Sequence, residues 1–184
     1  APTLPLGAHR QPMRPGADLS IDGIALLVAE FLERLDLQDV TLVMNDWGGP
    51  QLLVDHGRTE RIGRLALVAC EAFENFPPGR LGRRLAKLAA RRGGFALQSL
   101  LMRSAAVRRS VAATLVKQPV PDEMLRDWFG PFIHDRRIRQ DLRSYCLSVP
   151  LDSSRNWSAG LASFDKPALV VWALEDQIMP AEHG

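Results

Sequence analysis

The sequence predicts an α/β fold in which a parallel sheet is covered by helices. Three observations predict it. Helical and strand patterns alternate from Ser20 to Cys70. The strand runs are short, β-rich and almost wholly apolar, as in sheets buried on both faces. A long stretch from Phe76 to about Ser148 then carries helical periods and no strand pattern, which predicts a helical insertion between two strands.

In chain order, residues 1–19 are rich in Pro and Gly and read as a loop. Ser20 is the predicted N-cap of a helix to about Leu35, with Ile24, Leu27, Val28, Phe31, Leu32 and Leu35 on one face. Asp36 to Asp39 makes a turn, Val40–Met44 a buried strand, and Asn45-Asp46-Trp47-Gly48-Gly49 breaks that strand. A second helix follows, with Pro50 in its first turn, Leu52, Leu53 and Val54 as its apolar residues, and an end near Gly57. Arg64–Cys70 is the next strand. The insertion shows periods at Leu81, Leu85 and Leu88, at Val107, Val111 and Leu115, and at Ile138, Leu142, Tyr145, Cys146 and Val149. Residues 149–166 connect, with a weak helical stretch. Ala168–Ala173 is a third buried strand, and Leu174–Pro180 a polar loop holding Asp176.

Composition excludes several classes. The chain has 184 residues, 46% hydrophobic and 24% charged, with a net charge of +2, which is neither disordered nor collagen-like. No apolar run approaches the ~20 residues that span a bilayer. Cys70 and Cys146 show no disulfide or metal spacing and read as buried, reduced thiols, which predicts a cytoplasmic protein without a metal site; no cofactor is expected. The small net charge hides an asymmetry. Pro77 to Pro121 holds ten Lys/Arg and no Asp or Glu, leaving 13 basic against 21 acidic residues elsewhere. A solvated helical face explains such a block, and so does contact with an anionic surface. No nucleic-acid-binding signature accompanies it, so no nucleic-acid partner is expected.

The stretch that carries chemistry is Val43–Pro50, VMNDWGGP. A strand runs into a helix through a tight turn holding Asp46, and Gly48 and Gly49 permit the close approach. The turn exposes Asp46 at the carboxyl end of the sheet, where open α/β sheets bind ligands. The Trp47 N–H, at a helix N-terminus, points where an oxyanion-hole donor belongs.

This pattern resembles the nucleophile elbow of the α/β-hydrolase superfamily, in its branch with an aspartate nucleophile, the haloalkane dehalogenases and epoxide hydrolases. Asp46-Trp47-Gly48-Gly49 matches their elbow residue for residue. Leu4-Pro5-Leu6-Gly7 is similar to the loop after the fourth family strand, and His56 to Ile62 to the turn before the sixth. The run from Lys166 to Asp176 looks like the penultimate strand and its acid-bearing loop. Met44 and Ala173 are mild departures. Trp47 and Gly48 stand where a haloacetate-type enzyme would carry arginines. The resemblance implies a partial α/β-hydrolase fold. Residues 1–75 would form part of the core with the elbow, 76–150 a helical cap, and 151–184 a core strand and the acid loop.

The resemblance further implies a mechanism. Asp46 attacks carbon and forms an alkyl-enzyme ester, and Trp47 contacts the departing halide, with Asn45 and Trp128 as further substrate or halide contacts. Trp128 and Phe129 sit at helical spacing and also suit a core. A His then activates water, oriented by a carboxylate, for which Asp176 is the best match and Glu71 the alternative. The expected substrate is a small apolar or halogenated organic molecule. Neither His9 nor His134 suits the base, since both are expected on the surface. His56 reads as a helix-end residue, and His183 lies too near Asp176. The chain is therefore expected to be the middle of a longer domain, with little turnover by itself. Epoxide chemistry, an alternative, would need paired cap tyrosines, and Tyr145 is the one tyrosine here. A non-catalytic binding protein on the same scaffold is the other alternative. Trp157 and Trp172 read as packing residues.

Overall fold

A computed structural model describes residues 2–46, 52–70, 77, 79–149, 159–176 and 178–184. The alternation read from the sequence is present. Helix α1 (Ile21–Arg34) leads to strand β1 (Val40–Asp46), helix α2 (Leu52–Asp55) and strand β2 (Ile62–Cys70). Helices α3 (Gly79–Ala90), α4 (Gly94–Leu101), α5 (Ala105–Ala112), α6 (Asp122–His134) and α7 (Arg136–Ser148) follow, then strand β3 (Ala168–Val171). The strands pair in parallel in the order β1-β2-β3. Among the described residues of the connecting stretch, Gly160–Ser163 forms a 3-10 turn.

Contacts divide the chain into two compact units. A helical unit comprises residues 1–19 and 87–147, and a sheet unit comprises residues 20–86 and 148–184. The boundary falls within α3, and the first loop groups with the helices, whereas the sequence reading assigned residues 1–75 to the core and opened the insertion at 76.

In the sheet unit, Ser20 caps α1, its Oγ accepting from the Gly23 N–H at 3.0 Å. The buried stripe of α1 is Ile21, Ile24, Ala25, Val28, Ala29 and Leu32, while Leu35 lies past the last turn and is exposed. Lys166 fixes the entry to β3, its Nζ donating to the carbonyls of Thr59 (3.0 Å) and Ile62 (2.6 Å). Two expectations about the strands fail. In β1 only Met44 is buried, and Val43 is 62% exposed. All four residues of β3 are exposed. Apolar composition predicted burial, but among the described residues β1 and β3 are the outer strands of the sheet, and burial follows neighbours rather than side-chain type.

In the helical unit Phe95 of α4 meets Phe132 of α6 edge-on, centroids 5.4 Å apart. The helix α6 tolerates Pro131 near its end. The turn from α3 to α4 requires glycine. A Cβ on Gly94 would stand 2.2 Å from the Leu88 carbonyl oxygen, which is backbone and cannot step aside. Gly94→Ala is expected to cost about 2–3 kcal/mol, read as a lower urea midpoint with an unchanged slope.

The expectation that His9 lies on the surface is wrong. It is 4% exposed and its Nε2 lies 3.0 Å from Asp141 Oδ2. Its Nδ1 accepts from the Gly7 N–H at 3.3 Å, which puts the ring proton on Nε2, donated to Asp141. Asp141 also accepts from the Met13 N–H at 2.8 Å. One buried carboxylate on α7 thus ties down the first loop. Asp141→Ala strands one buried and one half-buried donor and is expected to cost about 2–3 kcal/mol in urea unfolding.

The basic block is also not uniformly a solvated face. Arg108 is buried, and its guanidinium donates to the carbonyls of Met102 and Arg103 at 2.8 Å each, closing the end of α4. Both cysteines are buried, and burial pushes the Cys146 thiol up to about 12, so it is inert at neutral pH.

Candidate active site

The sheet unit brings Asp46 and Asp176 to the carboxyl ends of parallel strands. Strand β1 does not break at Asn45, as the sequence suggested, but runs through Asp46. Asp46 ends it with φ +60°, a left-handed conformation costly for a residue with a Cβ. Strain of that kind on a strand leading into a helix aims the side chain out of the sheet.

Strand β2 is irregular at the same level. Asn45 pairs with Val68 and Asp46 with Cys70, so Ala69 is an extra residue bulged out of the ladder, with φ +38°. Bulges of this kind re-aim a neighbouring side chain. Asn45 secures the junction, its Nδ2 donating to the Val68 carbonyl at 2.9 Å. That contact holds the strand ends together at the bulge, a role the sequence did not suggest for Asn45.

Asp176 follows β3 in the loop predicted to carry an acid. Its Oδ1 accepts from the N–H groups of Ile178 (2.8 Å) and Met179 (2.9 Å), and its own N–H donates to the Ala173 carbonyl at 3.1 Å. Two backbone donors on one oxygen fix the carboxylate's direction. Trp172, expected in the strand core, lies just past β3 and donates its Nε1–H to the Met179 carbonyl at 2.9 Å, bracing the same loop.

Asp46 lies within electrostatic reach of Asp176. Removal of water around Asp46, and then the negative charge of Asp176, push the Asp46 carboxyl up to about 6. The residue nonetheless keeps an exposed surface.

Other predicted residues fall elsewhere. Trp47, Gly48, Gly49, Glu71 and Trp157 lie outside the described residues. Trp128 belongs to the helical unit, on α6, and is 41% exposed rather than core. His56 follows α2, as expected of a helix-end residue, and pairs with Asp22 at 3.0 Å. His134 ends α6 and is exposed.

A parallel sheet with helices between its strands, and polar residues gathered at the carboxyl ends of those strands, is the layout of an α/β hydrolase core. The family model for the α/β hydrolase fold matches residues 7–184, and the chain belongs to that family. Among solved structures it is similar to an α/β hydrolase fold protein from Burkholderia ambifaria (TM-score 0.67, 19% identity, 96% of this chain and 64% of that one). It is also similar to a haloalkane dehalogenase from Agrobacterium tumefaciens C58 (TM-score 0.61, 20% identity, 90% and 60%). An esterase from Exiguobacterium antarcticum matches with TM-score 0.62 at 13% identity, over 95% and 64%. The chain thus spans about three-fifths of the length of these relatives, and at such identities the likeness is one of fold. No curated protein sequence gives a significant match.

Proposed function

We propose that the protein is a hydrolase with Asp46 as nucleophile, cleaving carbon–halogen bonds through an aspartyl ester. The carrying observation is a carboxylate, not a hydroxyl, on the strained strand end. A carboxylate attacking an ester carbonyl would form a reactive anhydride. Attacking a saturated carbon, it forms a stable ester that a later step can hydrolyse. In the first step an Asp46 oxygen bonds to the substrate carbon as the carbon–halogen bond breaks, and the halide leaves with its electron pair. In the second, water adds to the ester carbonyl, the alcohol departs, and a base takes the proton. Asp176 is the acid proposed to orient that base, and residues 76–150 act as the cap over the substrate. Trp47 and Trp128 are proposed halide or substrate contacts.

Tyr145, the one tyrosine of the chain, is 1% exposed, which supports this reading over epoxide opening by paired cap tyrosines. Buried thiols at Cys70 and Cys146 support a cytoplasmic setting. The test is a panel of primary bromoalkanes, epoxides and aryl esters. Halide release with the first, lost in Asp46→Asn, is the expected result. Ester cleavage that survives Asp46→Asn would overturn the proposal.

A further inference from the structure

Charge is divided between the two units. The helical unit has 14 Lys/Arg against 6 Asp/Glu, net +8, and the sheet unit 9 against 15, net −6. Part of the positive charge is used internally. Arg108 holds backbone carbonyls, while Arg10, Arg109 and Arg137 pair with Asp127, Asp122 and Asp135. Arg91, Arg92 and Arg103 are exposed and have no carboxylate partner among the described residues.

These three arginines bracket α4, two before it and one after it. The helix turns Gly94, Phe95 and Ser99 inward. Its other face carries Leu97, Leu100 and Leu101, which are 58%, 57% and 54% exposed, and Ala96 completes it. No acidic residue occurs from Pro77 to Pro121. The result is a leucine face with a cationic rim on an eight-residue helix, too short to cross a membrane but suited to lie along one.

We infer that the α4 face of the helical unit docks on an anionic phospholipid surface, the leucines entering the acyl boundary and Arg91, Arg92 and Arg103 meeting headgroup phosphates. The two features point to one occupant. Nucleic acid would meet the arginines but give the leucines nothing apolar, whereas an anionic bilayer satisfies both. This inference is independent of the chemistry at Asp46.

The test is co-sedimentation of the full chain with phosphatidylcholine vesicles, with and without phosphatidylglycerol. Binding is expected only with phosphatidylglycerol, and weaker at about 1 M salt, where the Debye length falls to about 3 Å. Each arginine contributes roughly five-fold, so R91Q/R92Q/R103Q should lose about 100-fold in partitioning. L97S/L100S/L101S should lose at least about ten-fold. All six positions are exposed, and circular dichroism checks that the variants fold. The wild-type dependence on lipid charge and salt needs no variant. Failure to bind phosphatidylglycerol vesicles would overturn the inference. So would equal binding to neutral vesicles, binding undiminished in both variants, or a dimer dissolved by the leucine variant without vesicle binding.

Discussion

Asp46→Asn should abolish ester formation with a primary bromoalkane, lowering single-turnover bromide release by about 10⁴-fold or more, the scale on which removing a covalent nucleophile acts. The amide keeps the shape and the strained backbone but has no anionic lone pair to attack carbon. The same substitution should raise stability. Asp46 has a folded-state carboxyl at about 6, above its ordinary 3.8, so the folded chain binds the proton more tightly than the unfolded chain. Its contribution is favourable below pH 3.8 and is lost as pH rises through about 6, leaving a cost at pH 7. Asn removes that cost. The gain is expected to be on the order of 1 kcal/mol at pH 7 and absent near pH 3.5, because water reaches the carboxylate and screens its charge. Urea titrations at the two pH values measure it. A variant that loses activity while gaining stability cannot be explained as a folding defect.

The second large effect is on pH dependence. Only the ionised Asp46 attacks, so the ester-forming rate should fall about ten-fold per pH unit below about 6 and level off above it. The like charge of Asp176 is the lesser of the two causes of the raised value, burial being the greater. Asp176→Asn should therefore move the midpoint to lower pH without returning it to 3.8. Single-turnover bromide release across pH 4 to 8 checks the sign. An unchanged or higher midpoint would show that Asp176 does not act on Asp46 electrostatically.

The sequence made the sheet unit readable where its signals are local. Ser20 caps its helix through a bond to a residue three positions on, and the run Val40–Met44 lies within the observed strand β1. The loop after β3 is held by bonds within three residues of Asp176. What was not legible depends on partners distant in sequence. His9 is buried because a carboxylate 132 residues away accepts its proton. The Ala69 bulge is a mismatch between two strands, and neither strand announces it alone. Apolar content could not tell an edge strand from a central one, so β3 was expected to be buried and is exposed. Arg108 looked like every other arginine in the basic block, and only the end of α4 gives it a use.

The most direct measurement is mass spectrometry of the acid-quenched chain after incubation with a primary bromoalkane, followed by proteolysis and peptide sequencing. The peptide containing Asp46 should gain the mass of the alkyl group, or, after turnover in ¹⁸O-labelled water, ¹⁸O in the Asp46 carboxylate. Neither label should appear in Asp46→Asn. Bromide release with Asp46 unmodified and unlabelled, or continuing undiminished in Asp46→Asn, would contradict the assignment of Asp46 as the nucleophile.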